Sequence, residues 1–155
     1  MEKWSFKVKS NPEVISENLE SSLGSINGFV FQMKNDSSNF ISFKIRKRLL
    51  YAWYILYHNN VIANGKLSKT GSNNETNIDI SFSQHFLLKL VVFTHLFLGL
   101  GFVIAIILGN SRNTSMFLLA ALTLAIGIFL WFRLQKKYKR NVQEYKTLIS
   151  KTLEL

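Results

Sequence analysis

His95 is the residue of this sequence whose type and setting come nearest to a site for chemistry. It stands inside a long apolar run, Phe86–Leu108, where an ionisable group is a candidate for moving a proton or holding a ligand. Thr94, Gly99 and, in a second apolar run, Thr123 are the residues expected around it. A neutral imidazole bonded to one hydroxyl or one backbone carbonyl is the plainer alternative. Elsewhere the sequence holds no recognisable catalytic motif. Gly24 and Gly28 lack the following Gly or Lys of a phosphate-binding loop, and no serine sits in a G-x-S-x-G elbow. Glu75 and Asp79 straddle a turn and a strand without defining an acid–base pair. The absence of cysteine removes thiol nucleophiles, Cys-ligated metals and disulfides, and the three histidines are scattered. Neither enzymatic activity nor a cofactor nor a metal is expected.

The elements that would position His95 are membrane helices. The chain has 155 residues with 48% hydrophobic and 18% charged, a mean hydropathy of +0.13 and a net charge of +10. That is too apolar for a soluble domain of this size. Positions 86–132 hold no acid, and their bases are Lys89 and Arg112. Phe86–Leu108 would be about 34 Å long as a helix, against a hydrocarbon thickness of about 30 Å. Seventeen of its residues are Leu, Ile, Val or Phe. At about 0.3–0.6 kcal/mol each, their insertion outweighs the cost of Lys89, which can snorkel from near the end. Positions 115–132, about 27 Å as a helix, form a second span broken only by Ser115 and Thr123.

Between the spans, Gly109 is a candidate C-cap and Asn113, Thr114 or Ser115 a candidate N-cap, so the two spans are expected to form an antiparallel hairpin. Ala121 and Ala125, Thr123 and Gly127, and Gly99 and Gly101 are small residues expected at its contacts. Arg133, Lys136, Lys137, Lys139 and Arg140 crowd the end of the second span, whereas the connecting loop holds Arg112 alone. The positive-inside rule then puts both termini in the cytoplasm and the chain in the plasma (inner) membrane. Lys89, Trp131 and those five bases are the candidate anchoring residues at the interface. Positions 1–10 carry no apolar h-region, so the first span is expected to direct insertion itself. Because the basic tail follows a membrane exit, orientation accounts for it and nucleic acid is not expected as a partner.

Residues 1–85 are expected to form a cytoplasmic α+β domain, 86–132 the hairpin, and 133–155 a cytoplasmic amphipathic helix. Trp4, Phe6 and Val8 alternate with polar residues, which predicts a strand over 4–9. Ser10 and Asn11 can cap a helix that begins at Pro12, carries Val14, Ile15, Leu19 and Leu23, and stops at Gly24. Two hairpins follow. Phe29, Phe31 and Met33 alternate, 35–39 turn, and Ile41, Phe43 and Ile45 alternate back. Val61, Ala63, Gly65 and Leu67 then pair through a turn at 70–75 with Thr76, Ile78, Ile80 and Phe82. The short helix cannot cover such a sheet alone. Leu134, Tyr138, Val142, Tyr145, Ile149 and Leu153 recur at helical spacing in the tail, which would either fold back on its own sheet or pack on a second copy. Positions 47–58, apolar on all sides, read as buried strand or as an edge meeting headgroups or an apolar ligand, with Trp53, Tyr54 and Tyr57 as the candidate interfacial or ligand-contacting residues.

The opening strand with Asn11-Pro12-Glu13-Val14, together with Phe43-Lys44-Ile45-Arg46, Ala63-Asn64-Gly65-Lys66-Leu67 and Thr76-Asn77-Ile78-Asp79-Ile80-Ser81-Phe82, resembles small uncharacterised bacterial membrane proteins. More distantly it resembles START/SRPBCC folds. That resemblance, over roughly the first half of the chain, implies a curved sheet and a long C-terminal helix enclosing a pocket, here with a membrane hairpin inserted between them. Three functions are open at this point: a membrane-anchored module that binds a protein partner or assembles as a homo-oligomer, a lipid or apolar-ligand binder, and a subunit of an oligomeric channel or transporter. The lipid bilayer is the partner common to all three.

Overall fold

A computed structural model describes residues 1–26, 28–37, 40–48, 61–70, 74–109 and 113–154. The fold is α+β. In chain order it runs β1 (Glu2–Val8), α1 (Pro12–Gly24), β2 (Phe29–Ser37), β3 (Phe40–Lys47), β4 (Val61–Thr70), β5 (Glu75–Gln84), α2 (Phe86–Leu108) and α3 (Thr114–Thr152). It divides into two units: 1–84 with 139–155, and 85–138.

In the first unit the five strands form one antiparallel sheet in the order β1-β5-β4-β3-β2. Alternation decides its faces. Ile41, Phe43 and Ile45 of β3 lie opposite Leu67, Gly65 and Ala63 of β4, which lie opposite Ile78, Ile80 and Phe82 of β5. All nine are buried, and they make one face of the sheet the core. Gly65 has a specific reason to be glycine, because a Cβ there would overlap the Phe43 ring lying across it. Helix α1 starts at Pro12, with Ile15 N–H donating to the Asn11 carbonyl, and buries Ile15, Leu19 and Leu23 at a spacing of four. Asn11 sits at the N-cap as expected, without a side-chain capping bond. Gly28 occupies the left-handed region at φ +91°, where a side chain would be strained, as the chain turns into β2.

The tail answers the question the sequence left open. Residues 139–152 of α3 belong to the same unit as the sheet, and Val142, Tyr145 and Ile149 are buried there. The first hairpin differs from expectation at its tip. Asn35 and Ser37 pair with Ile41 and Phe40, so both strands run into the polar stretch predicted as turn. Backbone ladder bonds do not depend on whether a side chain is polar.

In the second unit, α2 and α3 pack antiparallel. The Phe93 and Trp131 rings meet at 6.4 Å, Gly127 faces Leu96, and Gly99 faces Leu124. Gly99, Ala120 and Gly127 are buried, whereas Ala121, Ala125 and Gly101 are exposed. Of the small residues expected at contacts, only part therefore makes them. Helix α2 ends at Gly109, whose N–H donates to the Ala105 carbonyl, and Asn113 caps α3 by accepting from Ser115 N–H at 3.0 Å.

Candidate functional site

Two places in the α+β unit and one in the hairpin gather polar side chains. The first clamps the tail. Tyr145 is 1% exposed, donates from its hydroxyl to the Val61 carbonyl at 3.0 Å, and sets its ring against Phe29 and Phe82. Burial pushes this hydroxyl well above its ordinary value of 10.0, and the Glu144 carboxylate acts in the same direction. On either side, Glu144 pairs with Lys47 at the end of β3 at 3.2 Å, and Lys146 pairs with Glu2 at the start of β1 at 2.7 Å. The site is mechanical: it joins the C-terminal residues to β1, β3 and β4.

The second place is the outer face of the sheet, and pattern reading along the chain did not find it. Strand register sets ten polar residues in two rows across the five strands. One row is Lys34, Ser42, Lys66, Asp79 and Ser5; the next is Gln32, Lys44, Asn64, Ser81 and Lys3. All ten line an open hollow of about 620 Å³. Its sole carboxylate among the described residues, Asp79, accepts bonds from the Ser5 hydroxyl and from Asn77 Nδ2 at 2.9 Å, so neutral donors rather than lysines hold it. Lys66 lies over the Phe40 ring at 3.9 Å, and neither Lys3 nor Lys44 forms an ion pair with a described residue. Such a face can hold anions and exchange hydrogen bonds. Alternation named these residues outward-facing, but only the cross-strand register brings them into rows.

In the hairpin, His95 Nδ1 is 2.8 Å from the Val91 carbonyl of its own helix. Thr123 likewise donates to the Leu119 carbonyl one turn back. Each therefore has a backbone partner one turn back in its own helix. The antiparallel register puts Lys89 at the level of Arg133 and Lys136, and all three are exposed, with Lys137 half-buried. Trp131 is half exposed beside Phe93. Lys139 and Arg140 are exposed within the first unit. Trp53, Tyr54 and Tyr57 lie outside the described residues.

No family model and no curated protein matches the chain. The crystal structure of an uncharacterised protein from Bacillus thuringiensis aligns with 55% of this chain and 79% of its own, at 9% identity and a TM-score of 0.30. That likeness is too loose to carry an argument.

Proposed function

We propose that the chain is an integral protein of a bacterial inner membrane, held by the α2–α3 hairpin with both termini cytoplasmic, and that its α+β unit serves there as a non-enzymatic interaction module. One observation carries the membrane reading. Phe97, Leu122, Ile107 and Phe132 are 72%, 61%, 70% and 69% exposed on helices long and apolar enough to cross a bilayer. A water-soluble protein seldom leaves so continuous an apolar surface uncovered. The orientation is supported by the five bases between Arg133 and Arg140, against Arg112 alone in the link between the spans. The module reading is supported by the outer sheet face, which offers ammonium, amide and hydroxyl groups that can hold a partner.

The test is labelling in intact cells with an impermeant maleimide, after the protein has been shown to resist alkaline extraction from membranes. Ser111→Cys should be modified from outside, and Ser37→Cys and Ser150→Cys should not. Modification at position 150 in sealed cells would reverse the orientation, and release by alkali would remove the membrane reading.

A further inference from the structure

We infer that the outer sheet face is the module's docking surface, and that its occupant is an acidic, extended segment of a protein partner. The inference rests on the interaction-module reading above. Its basis is charge complementarity with a repeat. Neighbouring strands lie about 4.8 Å apart, and same-face residues on one strand about 6.8 Å apart. Lys34 on β2, Lys44 on β3 and Lys66 on β4 alternate between the two rows, so these positions step across the sheet about 8 Å at a time. Lys3, two strands beyond Lys66 in the other row, continues the zigzag at about 12 Å. An extended peptide with acids at every second residue presents carboxylates about 6.8 Å apart on one side. Flexible lysine stems absorb the remaining difference.

The other groups of the hollow choose among anions. Gln32 and Asn64 both donate and accept, which suits peptide groups. Asp79 repels negative charge, most of all an unbroken run of phosphates, and is tolerated by an occupant whose charges are spaced apart. Phe43, the aromatic residue lining the hollow, is 3% exposed, and the half-buried Phe40 ring of the next row already carries the Lys66 ammonium at 3.9 Å, which leaves a nucleobase no bare ring to stack on.

The experiment uses the full chain in nanodiscs of zwitterionic lipid and a fluorescein-labelled eight-residue peptide of alternating Glu and Ser. The expected result is saturable binding that weakens with salt, falls at least tenfold in the double variant Lys44→Gln/Lys66→Gln, and tightens in Asp79→Asn. Lys7→Gln removes a charge from the same sheet face outside the hollow and should change affinity less than twofold. Absence of peptide binding, an equal loss in Lys7→Gln, or tighter binding of a thymidine octanucleotide or of anionic vesicles overturns the inference. A photocrosslinker at position 44, compared in cells with one at exposed position 22 on α1, separates the two levels of the argument. Protein adducts at 22 with none at 44 remove the docking surface and leave the module standing, and adducts at neither, with no peptide binding, remove both.

Discussion

The α+β unit and the helical hairpin use the same apolar side chains to opposite ends. In the first, Phe82, Leu67, Ile78 and Ile149 are 0% exposed, and the outward positions of the strands are mostly polar, with Val30, Phe40 and Ile62 as half-buried exceptions. In the second, Phe97, Leu98, Ile104 and Phe129 are each more than half exposed, and the polar groups Thr123 and His95 bond to their own helices. On the proposed membrane location, water outside the sheet and hydrocarbon outside the hairpin account for both, because lipid removes the reason to hide a leucine and adds a reason to satisfy every polar group internally. The difference should appear as different responses to the same kinds of damage.

The largest difference should follow from ending the chain after Arg140. This removes Val142, Tyr145 and Ile149 from the core face, each worth about 1.5–3 kcal/mol when buried, against a stability of about 5–15 kcal/mol for a whole domain. The hairpin loses nothing it needs for insertion. The truncated protein should therefore stay in the membrane while residues 1–84 become cleavable by protease in vesicles that expose the cytoplasmic face. Unchanged protection of those residues would mean that the tail contributes little to the core and would collapse the contrast between the two regions.

Glycines give a smaller and paired test. At Gly65 an added methyl overlaps the Phe43 ring, whereas at Gly101 of α2 it meets open space. Gly65→Ala should cost about 1–3 kcal/mol as an overpacked core, read as a lower denaturation midpoint of the sheet, and Phe43→Leu in the same chain should restore part of the loss. Gly101→Ala should leave the helical signal and its melting no lower than in the parent. Equal losses at the two positions would mean that the hairpin is as tightly enclosed as the sheet.

How much of this was legible in the sequence depended on whether the signal was local. The span Phe86–Leu108, the stop at Gly24 and the inward sets of β3, β4 and β5 follow from period and composition within one segment. The tail helix was legible as amphipathic, but which surface it would cover was not, because its spacing fits a sheet or a second helix equally. Spacing by four also failed to tell Gly127, which faces Leu96, from Ala121 and Ala125, which turn outward. On a helix that is apolar all round, no polar stripe marks the outside. The lysine rows were hidden for a related reason. Lys3, Lys44 and Lys66 are 22 to 63 positions apart, and their alignment exists only once β1, β5, β4 and β3 have taken their register.

The smallest predicted effect is also the most specific to the α+β unit. Tyr145→Phe deletes the bond to the Val61 carbonyl and keeps the ring, which at neutral pH should cost about 1 kcal/mol. Its pH dependence has a definite sign. Burial holds the hydroxyl of the folded protein above the ordinary value of 10.0, so the unfolded chain releases this proton first. The native advantage is complete below that value and is lost as pH rises from it toward the higher folded value, at about 1.4 kcal/mol per pH unit. The variant has no proton there to lose. Measured by pulse proteolysis in urea, the parent should be the more stable at pH about 8, and the two curves should cross within about one unit above the ordinary tyrosine value. Taking the difference between the two proteins cancels the lysines and the other tyrosines that titrate in the same range. Parallel curves would mean that Tyr145 ionises as easily in the folded unit as in the unfolded chain, and that the clamp between tail and sheet is open to water.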